Sequence, residues 1–332
     1  MNLSELVERL GLPVETRLPP LTGATGWLNT TPLTPAALNG KVVLVDFWTY
    51  TCINWIRTLP YVRAWARTYG PHGLIVVGVH TPEFGVEHDV DGVRHATRRL
   101  GVDHPVALDN RYDIWNAFAN LYWPALYLAD AEGRIRYHHF GEGAYERTER
   151  IIRRILSERG ATDLPRAVGL IEAHGIEAAA DWHPQRSPET YLGFERSAHF
   201  ASPGGQADAA RRYALPSRLR RNEWALDGHG TVGREGGVLN ETHGRIAFRF
   251  RARDVNLVLS PADDRTPVRF RVALDGAPPA GAHGVDTGPD GDGVVHHPGV
   301  YQLIRLPGPI EDHTFTIELF ERDATALCFT FG

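Results

Sequence analysis

The sequence predicts two folds in succession: an α/β unit with a helix-covered, partly parallel sheet, then an antiparallel β-sandwich. Three observations carry this expectation. The first half alternates short apolar runs with helical patterns. From Tyr191 onward the hydrophobic period becomes two. Between them lies a stretch rich in Ala, Glu and Pro. At 332 residues the chain is also too long for one ordinary core.

In the first half, Val42-Val43-Leu44-Val45-Asp46-Phe47-Trp48 reads as a strand buried on both faces. The spacing predicts a helix from about Cys52 to Tyr69 and a second buried strand over Leu74 to Val79. Further helices are expected over Asp89 to Leu100 and over Asn110 to Tyr122, the latter with Ile114, Phe118 and Leu121 on one face. Ala125 to Ala129 and Arg134 to His139 read as strands joined by the turn Asp130-Ala131-Glu132-Gly133. A helix carrying Ile151, Ile152, Ile155 and Leu156 closes the unit. The start, Met1 to Leu10, reads as an amphipathic helix and lacks the basic start and apolar run of a secretory signal.

Residues 161–189 read as a connector, one helix plus an extended tail. The sandwich is expected over 190–332, jelly-roll-like. Ile246, Phe248 and Phe250 alternate with polar or small residues, as do Val268, Phe270 and Val272, and Phe315, Ile317 and Leu319. Asp275 to Pro298 reads as a long surface loop.

The formal net charge is -5 with both signs interspersed and no long basic run, so no nucleic-acid partner is expected. No stretch approaches the roughly 18 to 20 apolar residues that span a bilayer, so no membrane segment is expected and a cytoplasmic location is the default. Two cysteines, Cys52 and Cys328, exclude a disulfide framework.

Cys52 falls just past a buried strand and at the start of a helix. Unpaired backbone N–H groups and the helix dipole stabilise a thiolate there. The stretch Lys41 to Cys52 with the downstream Pro60 resembles the active-site strand, turn and kinked helix of thioredoxins and of the TlpA/ResA redoxins. Trp27-Leu28-Asn29 and Leu33 to Gly40 are similar to the redoxin N-terminal hairpin. Longer strings resemble the soluble part of DipZ-type proteins: Thr49-Tyr50-Thr51-Cys52-Ile53-Asn54, Arg57-Thr58-Leu59-Pro60-Tyr61-Val62, His80-Thr81-Pro82-Glu83-Phe84, Tyr122-Trp123-Pro124-Ala125-Leu126-Tyr127 and Thr190-Tyr191-Leu192-Gly193.

The resemblance implies a thioredoxin fold over 1–160 and a carbohydrate-binding-like domain over 190–332. It implies Cys52 as nucleophile and Asp46 as a buried carboxyl able to exchange protons with the sulfur. Pro124 matches the cis-proline loop, and Trp48, Tyr50, Trp55, Trp123 and Pro124 become the substrate-binding candidates. Two departures matter. Thioredoxin-type exchange uses a second, resolving cysteine, and Trp55 stands in its place. Thr58 stands where TlpA/ResA redoxins often carry a glutamate. Cys328 lies in the sandwich, on the strand face opposite Phe329 and Phe331.

Other groupings are weaker. His138-His139 and His296-His297 would point to opposite strand faces, and His80, Glu83 and His88 fit no zinc spacing, so no metal and no cofactor are expected. Thr49 echoes the Thr-x-x-Cys of peroxiredoxins, with Arg57 as the matching cation, although Arg57 is expected on an exposed helix face. Tyr191, Trp224 and Tyr301 are candidates for a glycan-stacking platform. Three readings stay open: a monothiol redoxin acting on a disulfide or thiol adduct and reset by an external thiol reductant, a one-cysteine peroxidase, and a non-catalytic binding protein whose sandwich docks a glycan or a protein.

Overall fold

The run at 42–48 becomes the central strand of a mixed sheet. The computed structural model describes residues 11–183, 185–206, 208–263 and 266–332, so the helix expected at Met1 to Leu10 lies outside the described residues. The chain forms two compact units, the first ending at Ala173 and the second spanning His174–Gly332.

The first unit contains strands β1 (Thr16–Arg17), β2 (Gly26–Leu28), β3 (Val42–Trp48), β4 (Leu74–His80), β5 (Val106–Leu108), β6 (Ala125–Ala129) and β7 (Arg134–Phe140). Its helices are α1 (Pro35–Leu38), α2 (Ile53–Tyr69), α3 (Val90–Arg99), α4 (Asp113–Ala117) and α5 (Tyr145–Glu158). The sheet order is β1-β7-β6-β3-β4-β5-β2. Strands β3, β4 and β5 are parallel, and β6 runs antiparallel to both β3 and β7.

Side chains alternate across β3. Val43, Val45 and Phe47 join Val77 and Val79 against Ile114, Trp115 and Phe118. Val42 and Leu44 join Val76 against Tyr61, Val62 and Trp65 of α2 and Ile151, Ile152 and Ile155 of α5. Helices cover both faces, which is why the strand reads as a continuous apolar run.

Two expectations for this unit need correction. The helix expected over 110–122 is only the short α4, bounded by Tyr112 and Ala119, whose positive φ values of 60° and 49° are incompatible with continued helix. Leu121 is therefore off any helical face and 72% exposed. Among the described residues of 161–189 the expected helix does not form, and they hold one 3₁₀ turn, Gly175–Glu177. Side chains of the first unit satisfy its backbone instead. Glu149 accepts the N–H groups of Val168 (2.5 Å) and Gly169 (3.0 Å), while Leu164, Val168 and Ile171 pack on the α2–α5 core.

The strands of the second unit pair antiparallel, and one isolated bridge, Phe200 to Trp224, is parallel. Its strands are β8 (Thr190–Tyr191), β9 (Arg211–Tyr213), β10 (Trp224–Val232), β11 (Gly237–Leu239), β12 (Gly244–Phe250) and β13 (Asp254–Ser260). They continue with β14 (Val268–Leu274), β15 (Asp292–Val295), β16 (Gly299–Arg305), β17 (His313–Leu319) and β18 (Thr325–Phe331). The first half of β10 pairs with β12 and its second half with β9 and β11. Gly228, at φ 108°, marks the change, so one strand serves both layers of a sandwich. Between the layers Phe248 meets Phe329 and Phe331 at 5.0 and 5.1 Å. The expected Asp275 to Pro298 loop contains β15, which pairs with β14.

Candidate active site

Strand β3 ends at Trp48 and α2 begins at Ile53, so Thr49 to Cys52 form the turn between them. Cys52 is the N-cap residue of α2 and is half-buried. Its N–H donates to the Thr49 carbonyl at 3.2 Å, and its own carbonyl accepts from Ile56 N–H at 3.0 Å. The cysteine thus stands where first-turn N–H groups and the helix dipole favour an anion.

Asp46 has the same strand parity as Leu44 and so faces the α2 side of the sheet. It is wholly buried, and Trp55 Nε1–H donates to its Oδ2 at 2.9 Å. Burial pushes the Asp46 carboxyl up to about 7, while the Trp55 hydrogen bond draws it partly back. Trp55 also stacks on Trp48 at 4.2 Å. Trp48 meets His80 edge-on at 4.8 Å, and His80 stacks on Tyr50 at 5.7 Å. His80 is wholly buried, and burial pulls its imidazole down to about 3, so it is neutral. Asp46 lies opposite Gly78 and Trp48 opposite His80 in the β3–β4 register. A Cβ at Gly78 would stand 2.8 Å from Trp48 Nε1, so glycine is what lets the indole lie close over β4.

Of the residues expected to meet substrate, Trp48, Tyr50 and Trp55 are at most 1% exposed and offer it no surface. Their aromatic area is spent on one another and on His80. The Trp123–Pro124 peptide is cis. Pro124 is buried and Trp123 half-buried, with Leu121 and Tyr122 exposed just before them. Trp123 Nε1–H donates to the Thr81 carbonyl at 3.1 Å, and its ring packs on Trp115 at 4.2 Å.

The segment following β4 clasps the whole arrangement. Thr81 N–H donates to the Trp48 carbonyl at 3.0 Å, and the Thr81 hydroxyl donates to Asp109 at 3.1 Å. Asp109 in turn accepts the N–H groups of Ile114 and Trp115 at 2.9 and 2.8 Å. Tyr50 Oη donates to the Val86 carbonyl at 3.1 Å. Glu87, wholly buried, accepts from the Thr51 hydroxyl (2.6 Å) and from the N–H groups of Thr51 (3.3 Å), Glu83 (2.6 Å) and Phe84 (3.0 Å). Among the described residues, no group of three or more His, Cys, Asp or Glu side chains is placed to hold a metal ion.

Residues 187–332 match the family described as the thioredoxin-like C-terminal domain. The chain is 36% identical over 255 residues to protein DipZ of Mycobacterium tuberculosis, covering 76% of this chain and 36% of that protein. It therefore spans little more than a third of the length of that relative. It is 28% identical over 141 residues to the thiol-disulfide oxidoreductase YkuV of Bacillus subtilis, covering 42% of this chain and 95% of YkuV. The first unit has a thioredoxin fold and is similar to that oxidoreductase, and the second carries the match to the thioredoxin-like C-terminal domain. A solution structure of a thioredoxin-like protein in the oxidised form covers 44% of the chain and 99% of its own, at 28% identity and a TM-score of 0.41.

In the first unit Arg57 is not on an exposed face. It is 2% exposed, and its guanidinium lies 3.7 Å from Glu142, a residue that only the folded chain brings near α2. Thr58 is buried as well, donating to the Asn54 carbonyl at 2.9 Å and lying 3.3 Å from Tyr145 Oη. In the C-terminal domain Cys328 is buried within β18, between β8 and β13. The glycan-stacking platform does not form. Trp224 is wholly buried with its indole N–H on the Ala198 carbonyl, Tyr301 is 8% exposed, and the Arg196 guanidinium lies 3.3 Å over the Tyr191 ring. Alternating sandwich strands turn such aromatics inward. Sequence reasoning missed Glu87 altogether. Its local signal was an acid three residues after Phe84, where it caps the short turn Gly85–His88.

Proposed function

We propose that this protein performs monothiol exchange, with Cys52 as the nucleophile and Trp55 in place of a resolving cysteine on α2. The observation that carries the reading is the pairing at the start of α2. A cysteine occupies the N-cap, and three residues on a buried indole fills the position of a second thiol. The name of YkuV, a thiol-disulfide oxidoreductase, supports the same chemistry.

In the first step the Cys52 thiolate attacks a mixed disulfide, such as a glutathione adduct. A Cys52–sulfur bond forms, the substrate's S–S bond breaks, and the substrate thiol leaves as a thiolate. An external thiolate, as a cytoplasmic thiol pool supplies, then attacks the small-molecule sulfur and leaves as a small-molecule disulfide, restoring the Cys52 thiolate. Electrons come from the external thiol. Asp46, poised near neutrality by burial, takes the Cys52 proton when the thiolate forms and returns it afterwards. The half-buried Trp123 and the exposed Leu121 and Tyr122 beside Pro124 receive the substrate chain.

The test is to mix the whole protein with a glutathionylated peptide and follow it by mass spectrometry and thiol release. One glutathione should appear on Cys52 as one peptide thiol is released, reduced glutathione should remove it, and Cys52→Ser should do neither. Labelling of Cys52 by iodoacetamide without any exchange would replace this reading with a binding role. A dimedone adduct at Cys52 forming with peroxide faster than exchange would replace it with a peroxidase.

A further inference from the structure

We infer that Glu87 is a positioning residue for Cys52, acting through Thr51. The inference rests on the reading of Cys52 as the reactive thiol and adds a specific control of that site. Nothing in the exchange chemistry requires a second buried carboxyl here, yet this one is wholly buried and fully engaged.

Its two oxygens receive four donors. Oε2 takes the N–H groups of Glu83 and Phe84, and Oε1 takes the hydroxyl and the N–H of Thr51. That matches the lone-pair capacity of a carboxylate. The donors come from two separate stretches of the chain, one of them 36 residues before Glu87. One is the segment after β4, which also holds Trp123 through the Thr81 carbonyl. The other is the residue immediately before the nucleophile. Glu87 therefore joins the cysteine turn to the segment that braces the proline loop through Trp123. Tyr50 repeats the tie one residue earlier, through its hydroxyl on the Val86 carbonyl. A thiolate at a helix N-terminus gains from the first-turn N–H groups only while its backbone keeps the N-cap conformation. The Thr51–Glu87 link fixes the residue next to it. Burial pushes the Glu87 carboxyl upward, and hydrogen bonding from the Thr49 and Thr51 side chains and from the Phe84 and Glu83 backbone opposes that. If a proton binds, Oε1 can carry it and donate to Thr51 Oγ1, while Oε2 must remain an acceptor.

The experiment measures the rate of Cys52 alkylation against pH in the full chain and in Thr51→Val, Thr51→Ser and Glu87→Gln, with a thermal melt of each. Thr51→Val keeps the buried shape and loses the hydroxyl. It should react about fivefold more slowly at pH 7, the worth of one ordinary hydrogen bond, with its alkylation midpoint moved toward that of an unperturbed thiol. Thr51→Ser should restore the wild-type profile. Glu87→Gln should shift the profile in the same direction, because whichever way its amide turns, the NH2 group meets backbone N–H donors that the carboxylate accepts. A folded Thr51→Val with an unchanged profile overturns the inference, as does a Thr51→Ser that fails to restore it. A folded Glu87→Gln with an unchanged profile also overturns it. An unreactive Cys52 in the wild-type protein is a different result, since it removes the nucleophile itself.

Discussion

The Trp55 indole N–H donates to Oδ2 of Asp46 at 2.9 Å, in the buried space between α2 and β3. A side chain that would otherwise resolve a disulfide has become the hydrogen-bond partner of the site's carboxyl. Replacing Trp55 by Phe separates the two services of the indole, because the ring still stacks on Trp48 while the donor is lost. Asp46 should then titrate higher than it does now. The fold should lose about 1–3 kcal/mol from the unmet buried acceptor above the Asp46 midpoint, and less below it. Urea unfolding at pH 5 and pH 8 measures both.

Trp55→Cys should give the site dithiol chemistry, because position 55 lies one turn from Cys52 on α2. The variant should form an intramolecular disulfide under mild oxidant and reduce insulin. Trp55 is wholly buried, so removing its ring should also cost about 3–5 kcal/mol. Thiol titration together with a melt separates the outcomes. A folded variant whose two thiols stay reduced under oxidant would contradict the geometry of the turn.

Asp46 and His80 should imprint opposite pH dependences on stability. Asp46 is raised from 3.8 to about 7, so the folded state holds a proton that the unfolded state gives up, and stability falls as pH rises across that window. His80 is lowered from 6.5 to about 3, so the unfolded state takes a proton that the folded state refuses, and stability falls as pH drops across that window. Between about pH 4 and 6.5 the two nearly cancel. Asp46→Asn should remove the loss above that range, and His80→Phe the loss below it. Each full slope is about 1.4 kcal/mol per pH unit, read from unfolding free energies across pH.

What the sequence made legible was what repeats along it. The 42–48 strand, the cysteine at the start of α2 and the alternating sandwich strands each follow from a local pattern of apolar residues. Contacts closed by distant residues were not legible. Arg57 looks like a surface cation until Glu142, from the loop after β7, comes to lie 3.7 Å away. The short α4 depends on left-handed backbone at Tyr112 and Ala119, neither a glycine. Trp224 and Tyr301 looked like a platform because composition does not reveal which sheet face an aromatic takes.

The boundary of the redoxin unit gives the last prediction. The sequence places its end near residue 160, whereas the structure continues it to Ala173. The additional residues are tied in by polar and apolar contacts together. Glu149 accepts the N–H groups of Val168 and Gly169, and it also accepts the Tyr69 hydroxyl at 2.5 Å. Leu164, Val168 and Ile171 cover the α2–α5 core. A fragment ending at 160 would leave Glu149, now 3% exposed, without its two backbone donors, and would uncover that apolar surface. Losing two hydrogen bonds to a charged acceptor costs about 1.5–3 kcal/mol each where the group stays buried, and less once water reaches it. The fragment 1–173 should therefore melt higher than 1–160 and keep Cys52 as reactive as in the full chain. Circular dichroism melts and iodoacetamide labelling of both fragments measure this. Equal melting temperatures would show that the 161–173 segment adds nothing to the unit, and Glu149→Gln should lower the melt of 1–173 far more than that of 1–160.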